Sequence, residues 1–150
     1  MVVAMRATRR VPAMQVRQRI AKKKSKIERI DITQLPKDAM LKVRTKFSIY
    51  WVVVVDPVQK EVAVSTNSAS VPNGPDMHFF EGATTSPNGP RTTLNTDSIM
   101  VGASMAFAYK KPRPNGDRFL DTSLVQRISL VANAPKAKAI VDKAMAALGN

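Results

Sequence analysis

The sequence predicts a mainly β protein: an antiparallel β-sandwich, preceded by a basic N-terminal arm and followed by a short C-terminal helix. Three observations carry that prediction. Positive charge is crowded into the first thirty residues, apolar residues alternate along several segments between 43 and 131, and an Ala-rich stretch after Pro135 changes to helical spacing. A chain of 150 residues has room for one core and not two, and its 44% hydrophobic content supplies that core.

The arm comes first. Residues 1–30 hold ten basic side chains, Arg6, Arg9, Arg10, Arg17, Arg19, Lys22, Lys23, Lys24, Lys26 and Arg29, against the single acid Glu28, a net of +9. The remaining 120 residues contribute only +4 of the chain's +13, from 14 basic and 10 acidic residues. Such density implies a polyanionic partner, nucleic acid before an anionic membrane surface. Self-repulsion predicts an arm without stable structure until that partner binds. Val16, Ile20, Ile27 and Ile30 fall at spacings compatible with a helical stripe, interrupted by Lys23 and Lys24, so residues 14–30 could become helical on contact. Ten cations on a single strand would give a salt slope of roughly −7. No aromatic residue lies in this segment, so it offers phosphate contacts and not base stacking. The same composition suits a mitochondrial transit peptide, a nuclear-localisation patch or a basic juxtamembrane patch. The first is opposed by scarce serine and the dense Lys22-Lys23-Lys24 block, the last by the lack of bulky apolar anchors.

Residues 32–36 read as a joint ending at Pro36, giving an arm and joint over 1–36, a β-rich domain over 37–134 and a helix over 135–150. Phe47, Ile49, Trp51, Val53 and Val55 alternate with Ser48, Tyr50, Val52 and Val54, the pattern of a strand covered on both faces. Asp56-Pro57 stops it, and Val58, Val62 and Val64 mark a shorter antiparallel partner. Residues 77–81 form a third strand, 99–109 a fourth and 124–131 a fifth, with short edge pieces at 43–47 and 92–94. In the fourth, Gly102, Ser104, Ala106 and Ala108 leave one face small enough for close approach. Pro-Asn-Gly recurs at 72–74, 87–89 and 114–116, each a tight reversal; the first two lie in long polar loops of the kind sandwiches place at their ends. At the C-terminus, Asn133 is placed as N-cap and Pro135 in the first turn. Ala137, Ile140, Val141, Ala144, Met145 and Leu148 form the apolar stripe, and Gly149 ends it. The helix packs on its own domain or on a neighbouring subunit.

Chemistry is not signalled. Cysteine is absent, which excludes disulfides, thiolate metal sites and Cys nucleophiles within the chain. There is no Gly-x-Ser-x-Gly elbow and no glycine-rich nucleotide loop. The one histidine, His78, stands beside Phe79 and Phe80 as a packed residue would, and the carboxylates are scattered singly. The sequence therefore predicts no catalytic residue, no metal and no cofactor. No apolar run is long enough to span a bilayer, and the arginines after Met5 leave no room for a secretory signal. A second cationic patch is predicted where Lys110, Lys111, Arg113 and Arg118 flank the third Pro-Asn-Gly turn.

With Arg9-Arg10 and Lys22-Lys23-Lys24 as the densest clusters of an arm joined to a β-rich domain, the layout resembles the coat proteins of small icosahedral RNA viruses and satellite viruses. The resemblance covers the whole chain and rests on layout. It implies a jelly roll, symmetric self-assembly into a homo-oligomeric shell, packaging of nucleic acid, RNA before DNA, and a place in the virion, with assembly in the host cytoplasm and no membrane partner. Two departures accompany it: fewer than eight strands are predicted, and an Ala-rich C-terminal helix is not general in such shells. A ribosomal or chromatin-like nucleic-acid-binding module shares the layout, as does a phage structural subunit without genome contact.

Overall fold

A strand with apolar side chains on both faces needs two surfaces to bury them, and this chain supplies one by curling its sheet and the other with its helix. The computed structural model describes residues 26–149 apart from 70, 72–73 and 86–91. In chain order the elements are β1 (Arg29–Asp31), a 3-10 turn (Ile32–Gln34), β2 (Met40–Thr45), β3 (Ile49–Asp56), β4 (Glu61–Thr66), β5 (Asp76–Thr84), β6 (Thr93–Asn95), β7 (Ser98–Met100), β8 (Ser104–Tyr109), β9 (Phe119–Val131) and α1 (Ala134–Leu148).

The fold is mainly β and antiparallel with one short C-terminal helix, as the alternation predicts. Its strand order is β4-β3-β2-β9-β8-β5-β6, and β5 also pairs with β4. That extra pairing closes six strands into an up-and-down barrel in which β2, β3, β4, β5, β8 and β9 follow one another around the ring in chain order, with β6 and β7 inserted between β5 and β8. The sequence pointed to two stacked sheets; the structure holds one ladder that returns to its start. Closure lets the inward side chains meet one another directly. Leu41, Val43, Tyr50, Val52, Val54, Val62, Val64, Phe80, Met105, Phe107, Leu120, Val125 and Ile128 form that interior.

Closure also explains how one edge of β5 serves two partners, while its other edge pairs with β8. Its first half pairs with β4, from Glu61 opposite Phe79 to Val64 opposite Asp76. Its far end pairs with β6 through Ala83 and Thr84. At the change-over sits Gly82, with φ +135°, where a Cβ would lie 2.3 Å from the Asn95 carbonyl oxygen. Only glycine lets β6 come this close.

The outer surface is covered in part. Ala137, Ile140 and Ala144 of α1 pack on Met40, Val53, Ala63 and Met77, with Trp51, Val55 and Val131 at the margin. Asn133 caps the helix by accepting from the Lys136 amide, and the Gly149 N–H bonds the Ala146 carbonyl at the other end. The helix therefore packs on its own domain.

Three expectations change. Residues 99–109 form two strands, because the chain turns at 101–103 and Gly102 takes φ +89°. Of residues 43–47, expected as an edge piece, 43–45 belong to a full barrel strand, β2, paired on both sides, and Lys46 and Phe47 lie in the bend that follows. Residues 26–36, assigned to the arm and joint, are part of the domain. Ile27 bridges Ile128, β1 pairs with β7, and Ile32 is fully buried against the barrel end. The last two residues of the segment considered helix-forming, Arg29 and Ile30, lie in strand β1, and Ile27 and Ile30 pack their side chains on the barrel core.

Candidate nucleic-acid interface

Arg6, Arg9, Arg10, Arg17, Arg19, Lys22, Lys23 and Lys24 lie outside the described residues. Lys26 is exposed where the chain meets the barrel. Arg29, in β1, donates from Nε to Ser98 Oγ at 3.2 Å, which anchors this strand while most of its side chain faces out.

The second predicted patch divides. Lys110 forms an ion pair with Glu61 and lies 5.8 Å from the centroid of the Phe79 ring. Arg113 Nη1 contacts Asp76 Oδ2 at 2.7 Å, and its guanidinium lies 5.5 Å from the Tyr109 ring centroid. Both are engaged within the fold. The turn that carries them is the expected reversal: the Gly116 N–H donates to the Arg113 carbonyl, and the Arg113 N–H donates to that of Asp117.

Arg113 stands over a barrel mouth whose groups titrate abnormally. Burial raises the Asp76 pKa, and the adjacent guanidinium opposes that rise. Burial likewise raises Tyr109. Deeper in, His78 packs with ring centroids 4.4 Å from Tyr109 and 5.4 Å from Phe107. Burial, helped by the Arg113 charge, lowers its pKa from 6.5 to about 3. Its Nδ1 has no hydrogen-bond partner. It is a neutral core ring, the role its aromatic neighbours in sequence suggest.

One cluster was missed by sequence reasoning. In β2, Leu41 and Val43 point into the barrel, so Lys42 and Arg44 point out. In β9, Ile128 points in, so Arg127 and Ser129 point out. The β2–β9 register sets Lys42 opposite Ser129 and Arg44 opposite Arg127, and these four residues line one shallow groove. Trp51 of β3 stands opposite Lys42, and the Lys136 ammonium sits 4.0 Å from the centroid of its ring. The alternation within each strand was legible; the pairing of strands more than eighty residues apart was not.

Among the described residues no group of three or more His, Asp or Glu could hold a metal ion, and no helix is long and apolar enough to cross a membrane. The chain matches no protein-family model, no curated protein and no solved structure.

Proposed function

We propose that this chain is a non-enzymatic coat subunit that assembles with copies of itself into a shell and packages nucleic acid, RNA in preference to DNA, through its basic N-terminal arm. The observation that carries the reading is the ten-to-one excess of basic over acidic side chains in residues 1–30, joined to a domain whose remaining charge is nearly balanced. Nothing in the barrel requires that charge for folding: the interior is apolar, and its mouth is neutralised by internal ion pairs. Large apolar side chains at Phe47, Val58, Leu94 and Phe119 are more than half exposed and are available for contacts between subunits. The preference for RNA, the icosahedral form of the shell, and a virion location with assembly in the host cytoplasm come from the layout resemblance. The proposal does not depend on a jelly-roll order of strands.

The test is deletion of residues 2–25. The expected product keeps the cooperative unfolding and β-type circular dichroism of the full chain but no longer retains nucleic acid on purification. A truncated protein that carries as much nucleic acid as the full chain, or one that fails to fold, contradicts the proposal.

A second reading has one observation in its favour. A closed barrel leaves few free strand edges for pairing between subunits, which suits a small nucleic-acid-binding protein that does not form a shell. Particle size separates the two.

A further inference from the structure

We infer that the outer face of the β2–β9 pair, built from Lys42, Arg44 and Arg127, is a second phosphate-binding surface that holds the backbone of single-stranded nucleic acid; the inference rests on the packaging function proposed above.

Energetics points to a ligand. Arg44 and Arg127 are direct cross-strand partners, which brings their Cβ atoms within about 5 Å, where like charges destabilise a sheet. Lys42 follows on the same face, roughly 6.8 Å along β2. None of the three takes part in an ion pair among the described residues. The nearest acid by register is Glu28, one position beyond the Ile27–Ile128 bridge, and it too stands outside those ion pairs. Three cations flanked by one carboxylate, Glu28 opposite Arg127 by the register of that bridge, leave this face with a net positive charge that opposes folding. A bound phosphate turns that repulsion into attraction, and the guanidinium forks of two adjacent arginines match phosphate oxygens in pairs.

The surroundings identify the form of the ligand. Among the described residues the surface is an open sheet face with no helix or ribbon projecting from it, so these residues offer nothing to insert into a duplex groove. A cationic groove that follows a backbone is the arrangement used for single strands. Lys136, held over Trp51, adds a fourth cation at the rim. The Ile27–Ile128 bridge also sets Lys26 beside Ser129, so the basic segment joins the domain next to this face. A strand engaged by residues 1–25 is thereby delivered to it.

The test uses the full chain, a labelled oligouridylate and a salt titration of its affinity. The double variant R44Q/R127Q is compared with K138Q/K143Q, which removes the same charge from the exposed side of α1. The R44Q/R127Q variant should bind several-fold more weakly at fixed salt and lose about 1.4 from the salt slope, near 0.7 for each phosphate contact removed. The helix variant should stay close to wild type. Equal behaviour of the two variants, with wild type binding normally, overturns this inference and leaves the packaging function standing. A wild-type chain that binds no oligonucleotide overturns both. If R44Q/R127Q does not fold, photocrosslinking of wild type to a thiouridine oligomer decides. Adducts within 42–51 or 127–136 support the surface, and adducts confined to the arm overturn it.

Discussion

The outer surface of the barrel has two halves built on the same strands, and they have opposite chemistry. Along β2 the outward residues run Met40, Lys42, Arg44; along β9 they run Arg127, Ser129, Val131. At the Met40 and Val131 end the surface is apolar and α1 lies on it, with Val53, Ala63 and Met77 completing the contact. One or two residues further along, it is cationic and bare. The inward residues do not change character between the two halves, because the barrel encloses both. What differs is the cover on the outside: the chain's own helix on one half, and on the other a cationic face that no other described element seals.

The comparison can be broken most sharply from the covered half. Ala144, on the inner face of α1, is fully buried against the barrel, so Ala144→Glu forces an unpaired charge into that contact. It should cost about 4 kcal/mol or prevent folding, measured as a lowered midpoint in urea denaturation. Ile140→Ala removes apolar volume from the same contact, and a loss of roughly 2–4 kcal/mol is expected. If either change is tolerated as a surface substitution would be, the helix does not seal this half.

The interior sharpens the contrast through pH. His78 has a folded-state pKa near 3 against 6.5 in the unfolded chain. Between those values the unfolded state binds more protons, so stability is lost as pH falls through the window, with a slope approaching about 1.4 kcal/mol per unit. Asp76, whose pKa is raised by burial, acts in the opposite sense at the acid end. Comparison of wild type with His78→Leu isolates the histidine: the variant should lose less stability on going from neutral pH to pH 4. Parallel curves for the two proteins would show that His78 is not the buried neutral ring described above.

The smallest effect belongs to the bare half. Lys42→Val and Arg44→Val should each change stability by less than about 0.5 kcal/mol, in the favourable direction for Arg44 because its facing arginine is relieved. A loss comparable to that of Ile140→Ala would mean that the cations are part of the packing.

Much of the body was legible because alternation and helix signals are local. Tyr50, Val52 and Val54 face the interior while Val53 lies under the helix, so the doubly covered strand read from residues 47–55 holds from Ile49 onward, and Phe47 stands exposed in the bend before it. Asn133, Pro135 and Gly149 bound a helix at the predicted place. Barrel closure was not legible, since it rests on β9 meeting β2, and strand pairing over more than eighty residues leaves no local pattern. Gly102 was read as a small residue within a strand when its backbone makes a turn. The cations of 110–113 were read as free because their partners, Glu61 and Asp76, are distant in sequence. Lys42, Arg44 and Arg127 were passed over for the same reason: none belongs to a charge run, and only the register between two strands makes them a group.

Size and nucleic-acid content of the full chain, read together by light scattering and ultraviolet absorbance during size-exclusion chromatography, test the central claim directly. The account predicts megadalton particles whose absorbance shows nucleic acid, and which shed it in high salt. A monomer or dimer free of nucleic acid, under conditions where the barrel is folded, would contradict it.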